Sequence, residues 1–85
     1  MVEAVIKRDN REEAFIVEKL VVSCVKAGAD IETARRIATE LQNEITEEKI
    51  RTEKLRELVL ERLKSINPQW YENWLLYDRA VKRRY

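Results

Sequence analysis

The sequence predicts an α+β fold, and three observations carry the prediction. Two short extended runs, Val5-Ile6 and Glu12 to Phe15, flank a turn at Asp9-Asn10. Later segments repeat apolar residues at helical spacing, and they break where cap and turn residues stand: Gly28, Asp30, Thr52 and Asn67-Pro68.

The N-terminal runs read as a hairpin. Asp9-Asn10 is a two-residue link that tolerates the positive φ of a primed turn, and such a turn sets Arg8 opposite Arg11. Like charges facing each other across strands are destabilising. A chain that keeps Lys7, Arg8 and Arg11 together therefore splays them into water or uses them on an anion, with Asp9 and Glu12 neutralising part of the charge.

The first helix starts near Ile16, carries Val17, Leu20, Val21, Cys24 and Val25 on one side, and stops at Gly28. Lys19 falls in its first turn, where the macrodipole disfavours a cation by a few tenths of a kcal/mol, roughly. Bound phosphates would reverse that cost; the alternative is that Lys19 pairs with a neighbouring Glu or bends into solvent. Asp30 caps a second helix with Ile31, Ala34, Ile37, Ala38, Leu41 and Ile45 on one face. Lys49 to Arg51 is too short to read from pattern alone. Thr52 is placed to cap a third helix bearing Leu55, Leu58, Val59, Leu63 and Ile66. Asn67 then caps a last helix with Pro68 at its first position, running toward Arg83. Among the aromatics Trp70, Tyr71, Trp74, Tyr77 and Tyr85, the spacing of Trp70, Trp74 and Tyr77 makes a helical stripe suited to core or interface rather than to base stacking. Lys82-Arg83-Arg84 suits a helix C-terminus.

At 85 residues, 45% of them hydrophobic, the chain supports one core, so residues 1–85 are read as a single domain. A net charge of +1 with 39% charged residues writes no general affinity for nucleic acid into the total, and any basic site must be local. The wealth of Glu, Lys and Arg, with one Gly and one Pro, follows a pattern common in thermophile proteins. Lone Cys24 forms no internal disulfide and reads as core in a reducing compartment. Without histidine, the common base of Ser or Cys catalysis and the ordinary zinc ligand sets are missing. No signal peptide or spanning apolar stretch is evident, which points to the cytoplasm. A single glycine also rules out the P-loop and the dinucleotide fingerprint, so side chains such as Lys7, Arg8 and Lys19 would have to hold any phosphates.

The run Val5-Ile6-Lys7-Arg8-Asp9-Asn10, then Phe15, then Lys19-Leu20, resembles the opening "V-x-K-R-D-G … F … K-I" signature of the ATP-cone domain. Ile50-Arg51-Thr52-Glu53-Lys54-Leu55-Arg56-Glu57-Leu58-Val59 is similar to that family's entry into its third helix, and Trp74-Leu75-Leu76-Tyr77-Asp78-Arg79 to its closing helix. The family binds ATP and dATP; its members stand at the N-terminus of many ribonucleotide reductases and in the repressor of reductase genes. The resemblance implies a three-stranded antiparallel sheet, the hairpin plus a short strand at Lys49 to Arg51, covering a bundle of about four helices. It also implies a regulatory, non-enzymatic module that binds ATP or dATP with Mg2+ through Lys7, Arg8, Lys19 and Thr52, with Arg56 and Arg79 as further candidates. Its partner would be a reductase catalytic domain, attached or separate, or a second copy of the chain. Two residues depart from the pattern: Asn10 replaces the turn glycine, and Ile16 stands where the family often has a polar residue that reaches the nucleotide. The departure at Ile16 bears on base or sugar recognition more than on phosphate. Two alternatives stay open: a degenerate cone acting as an interaction module, and a small nucleic-acid-binding domain, supported by Lys7, Arg8, Arg11 and the basic C-terminus.

Overall fold

A computed structural model describes the backbone of residues 1–82 and the side chains of residues 1–77. The elements run β1 (Ala4–Ile6), β2 (Glu12–Ala14), α1 (Val17–Lys26), α2 (Ile31–Glu44), β3 (Lys49–Arg51), α3 (Thr52–Ile66) and α4 (Pro68–Lys82). Among the described residues, four helices and three strands match the predicted α+β class. The side chain of Arg79, the Lys82-Arg83-Arg84 run as a charged helix end, and Tyr85 lie outside the described residues.

The sheet has the order β2-β1-β3 and is mixed, not antiparallel as expected. β1 pairs antiparallel with β2 but parallel with β3, in the register Ala4↔Lys49, Val5↔Ile50, Ile6↔Arg51. The reason lies in where the chain leaves and rejoins the sheet. It leaves at Phe15, whose N–H donates to Glu3 O at 2.8 Å, and after two helices it returns at Glu48, whose carbonyl accepts from the N–H groups of Glu3 and Ala4 at 2.7 and 3.1 Å. β3 thus begins at the end where β2 stopped, and must run in the direction of β1.

The hairpin turn also differs from the reading of the sequence. Asn10 N–H donates to Lys7 O and Lys7 N–H to Arg11 O, both at 2.8 Å, so Lys7 rather than Arg8 faces Arg11. Asn10 has a positive φ of 70°, and no other non-glycine residue among those described does. The loop is therefore three residues long, a tight turn followed by one left-handed residue, instead of a two-residue primed turn. Asn fills that last position because it reaches positive φ more readily than other L residues.

α1 closes as the sequence suggests. Ala29 N–H bonds Cys24 O and Gly28 N–H bonds Val25 O, the paired pattern of a Schellman end, with Gly28 at φ +117°. Asp30 caps α2 by accepting from Thr33 N–H at 3.0 Å. Asn67 Oδ1 accepts from Gln69 N–H at 3.0 Å at the start of α4, with Pro68 as first residue. Thr52 is not a cap: Arg51 holds the extended cap position of α3, and Thr52 is the first helical residue.

The main core joins α1, α2 and α3 through Leu20, Val21, Cys24, Ile37, Leu41, Val59 and Leu63, with Trp70 and Trp74 of α4 packed against it. A smaller cluster of Val2, Ile45 and Ile50 lies under the sheet. Phe15, Leu55 and Leu58 touch both, so α3 ties sheet to bundle. Arg62 clips α3 to α2 through Glu40 at 2.9 Å and Glu44 at 2.8 Å. Tyr77, half-exposed, meets Lys26, whose ammonium lies 5.2 Å from the ring centroid and donates to the hydroxyl at 3.1 Å. The stripe is thus packing in its first two members and a surface contact in its third. Cys24 is fully buried, and desolvation pushes its thiol up to about 11. The neutral thiol's stabilising share is whole below pH 9 and is lost as the pH rises through about 11.

A Cβ on Gly28 would stand 3.0 Å from Trp70 Cδ1 and 3.4 Å from Asn73 Nδ2, at a φ that side chains resist. Gly28→Ala should cost about 1–3 kcal/mol in urea unfolding followed by Trp fluorescence.

Candidate functional site

Period-2 alternation sorts the sheet into two faces. Val5 and Ile50 face α3, since both pack with Leu55 and Leu58, while Ala4, Ile6, Lys49 and Arg51 take the other face. Lys7 follows Val5 by two residues and so leaves the sheet on the helix side. Glu13, paired with Val5 in the register, lies on that same side, and its carboxylate is 3.6 Å from Lys7 Nζ.

The parallel pairing of β1 with β3 places Arg51 beside Ile6 and hence starts α3 at the hairpin end of the sheet. Arg8, Asn10, Arg51 and Glu53 lie together there, while Lys7 and Thr52 each follow one residue after the paired Ile6 and Arg51, with Lys7 on the helix side of the sheet and Arg51 on the other. Arg51 donates to Asn10 Oδ1 at 3.4 Å and lies 3.5 Å from Glu53. The backbone amide of Glu53, at the helix start, holds that carboxyl below its ordinary range, with Arg51 and then Arg8 adding to the effect. Arg8 makes no hydrogen bond or ion pair with another described residue. Arg11 is committed elsewhere: its backbone N–H and its Nε bond the two oxygens of Asp9 at 3.1 and 2.7 Å. The Arg11 backbone N–H leads in holding the Asp9 carboxyl below the usual range. The turn thus neutralises one arginine internally and leaves another directed at the start of α3.

Thr52 is half-buried, and its Oγ1 is covered without a hydrogen-bond partner. An orphaned buried hydroxyl is costly unless a ligand or a rotation of nearby groups satisfies it. Arg56 follows one turn later on the same face of α3, half-buried. Lys19 stands exposed in the first turn of α1, a helix that leaves the sheet from the opposite end, on the order of 10 Å away for strands this short. Of the predicted residues, then, Lys7, Arg8 and Thr52 stand at the hairpin end of the sheet, Arg56 one turn further along α3, and Lys19 at the opposite end. Neither α1 nor α3 has a side-chain N-cap, whereas α2 is capped by Asp30 and α4 by Asn67. The two helices that begin with predicted anion ligands are those whose terminal N–H groups lack a capping side chain, and such termini favour anions.

Arg51 was missed by sequence reasoning. The signal was the parallel register, which nothing local in the sequence encodes. A groove of about 680 Å³ lies on the far side of β3, floored by Leu41, Ile45, Ile50 and Leu58. Its rim holds four glutamates, Glu44, Glu47, Glu53 and Glu57, against Lys49, Arg51 and Lys54. None of Lys7, Arg8, Lys19, Thr52 and Arg56 lines it, and it shares Arg51 and Glu53 with the cluster at the hairpin end.

Replacing the orphaned hydroxyl by a methyl of the same shape tests its cost. Thr52→Val should melt at the same temperature as the parent or higher in calorimetry, because no hydrogen bond is lost.

Two comparisons bear on this geometry. The family model described as the ATP cone domain matches residues 3–83. The chain is 37% identical over 85 residues to the transcriptional repressor NrdR of Caldicellulosiruptor bescii, covering 92% of this chain and 56% of that protein. It is 34% identical to the repressor of the same name from Caldicellulosiruptor saccharolyticus and 35% to that of Clostridioides difficile, with the same coverage. The chain spans about half the length of these relatives.

Proposed function

This chain belongs to the ATP cone domain family, and we propose that it binds ATP or dATP through the triphosphate and passes the nucleotide's identity or presence to a partner. The observation that supports the reading is the parallel register that sets Lys7, Arg8 and Arg51 at the end of the sheet where α3 starts without a capping side chain, beside the orphaned Thr52 hydroxyl. Lys7 supplies a point charge, and the two arginines supply forked donors suited to phosphate oxygens. The α3 N-terminus adds partial positive charge, and Thr52 a hydroxyl that gains a partner when the side chains over it shift. Lys19 reaches the distal phosphates from α1, and Arg56 extends the cation row along α3. Arg79 belongs to the family pattern as a weaker candidate.

Mg2+ accompanies the nucleotide on its phosphates. Among the described residues no cluster of three or more His, Cys, Asp or Glu is arranged to hold a metal. The same residues include no helix long and apolar enough to cross a membrane. Binding regulates only if the ligand prefers one of two states. α3 is suited to transmit that preference, because it begins at the site and ends against α4. The partner is a reductase catalytic domain, the rest of a repressor, or a second copy.

The relatives' description as transcriptional repressors favours a second reading for the longer protein, in which the nucleotide bound here governs contact with nucleic acid. Charge on this domain is nearly balanced at +1, so it is suited to the controlling part rather than the contacting one.

Calorimetric titration with ATP and dATP plus Mg2+ should give saturable binding, abolished in a folded Lys7→Ala, Lys19→Ala double variant. Thr52→Val should weaken it by about five- to tenfold, one hydrogen bond's worth. No heat from the parent chain would identify a cone kept as an interaction scaffold, and oligonucleotide binding that ATP leaves unchanged would favour direct nucleic-acid contact.

A further inference from the structure

We propose that the open edge of β3 and the groove beside it form a docking site for an extended, basic segment of another polypeptide, taken up as a fourth strand of the sheet. The inference stands apart from the nucleotide-binding reading.

In the order β2-β1-β3, one side of β3 pairs with β1, and no strand among the described residues covers the other. Glu48 O accepts from the amides of Glu3 and Ala4. The alternation of a strand therefore turns the N–H and C=O of Ile50 toward β1 as well, and those of Lys49, with the N–H of Arg51, outward. Charged side chains commonly guard such an edge. Here they are drawn off it: Lys49 Nζ reaches back across β1 to Glu12 of β2 at 3.1 Å, and Arg51 to Asn10 of the hairpin turn at 3.4 Å. The edge stays open to another backbone.

Three backbone groups are too few to hold a strand, and the groove supplies the rest. Its volume is about 680 Å³, and its floor is Leu41, Ile45, Ile50 and Leu58. Ile50 lies on the helix side of the sheet, so a strand laid against β3 directs every second side chain onto this floor, which calls for apolar residues at those positions. Rim charge selects their neighbours. Glu44 is engaged by Arg62 and Glu53 by Arg51, which leaves Glu47 and Glu57 against Lys54, none of them in an ion pair with another described residue. α2 ends here too, with Glu44 as its last residue and no basic residue in its last turn, so the negative end of its dipole is unanswered. Both features favour Lys or Arg in the incoming segment. A second copy of this chain fits less well, because pairing β3 with itself about Ile50 sets Lys49 opposite Arg51 twice, and like charges across strands repel. The occupant is thus a partner segment in which groove-facing apolar residues are flanked by Lys or Arg.

The test is selection of displayed random short peptides on the intact chain, followed by fluorescence-anisotropy titration of the enriched sequences and by mapping of amide chemical shifts. The variants are Lys49→Pro, which removes an outward N–H without touching the pairing with β1, and the double variant Glu47→Gln, Glu57→Gln. Glu32→Gln at the far end of α2 serves as a control for net charge, and melting curves verify folding. Enriched peptides should alternate apolar residues, carry Lys or Arg beside them, and shift the amides of Lys49 and Arg51. The double variant should bind them about three- to tenfold more weakly, Lys49→Pro should lose a similar factor, and the control should bind as the parent does. If Lys49→Pro fails to fold, the double variant and the shift map decide. No enrichment, enrichment of acidic peptides, shifts confined to another surface, or unchanged affinity in the double variant overturns the inference. Self-association of the chain through this edge, abolished by Lys49→Pro, would assign the groove to a second copy and overturn it as well.

Discussion

The backbone pairing of Ala4–Ile6 with Lys49–Arg51 is the constraint on which the rest of the molecule depends. It is only three residues long, yet it fixes the end of the sheet at which α3 begins, and therefore which side chains of the hairpin meet the helix start. Burial supports it. Val5 and Ile50 lie side by side in the register and pack onto Leu55 and Leu58, so the apolar cluster that holds the sheet down also orients α3 beneath it. A one-residue slip would turn Ile50 outward and Lys49 and Arg51 inward, exchanging an apolar contact for two buried cations. The register is thus protected by the cost of the alternative, more than by three residues' worth of hydrogen bonds.

Much of this was legible in the sequence, and the reasons differ by element. The helices were readable because their apolar periodicity and their punctuation agree: Gly28 where α1 must turn, Asp30 where α2 needs a cap, Asn67-Pro68 where α4 begins. Each is a local effect with one dominant solution. The sheet was less readable. Whether β3 runs with or against β1 is decided by where two intervening helices deliver the chain, a property of their lengths and packing that no residue in Lys49–Arg51 records. The turn was misjudged by one residue because Asp9 and Asn10 both tolerate positive φ in principle, while the native loop uses only Asn10 and spends Asp9 on Arg11. Thr52 was read as a cap from its residue type. The position went instead to Arg51, because β3 leads into α3 without an intervening residue, and the cap must then be the last residue of the strand.

The candidate site shows the same division. Lys7 and Arg8 could be found from the sequence because the cost of crowding cations around a turn is local. Arg51 could not, because it joins them only through the parallel register. The site is therefore part charge pattern and part topology, and the chain's near-zero net charge conceals it: the carboxylates that balance the total include those that sit on the cations. Membership of the ATP cone domain family gives this arrangement its meaning, since a cluster of exposed lysine and arginine beside paired carboxylates would otherwise pass for an ordinary solvated surface.

The parallel crossover also has a consequence for how the domain assembles. Hairpin and helices can form from neighbours in the chain, but β3 must find β1 across more than half the sequence, and closing a loop of that length costs on the order of 3 kcal/mol before any contact repays it. Non-local pairing of this sort belongs to the slow, late part of a folding reaction. The cation cluster at the end of the sheet therefore comes into being only once the whole chain has folded, with no partly assembled precursor in the hairpin alone. A ligand that bridges β1 and α3 at that point would act as a clamp on the closing step, slowing unfolding while leaving the rate of folding nearly unchanged.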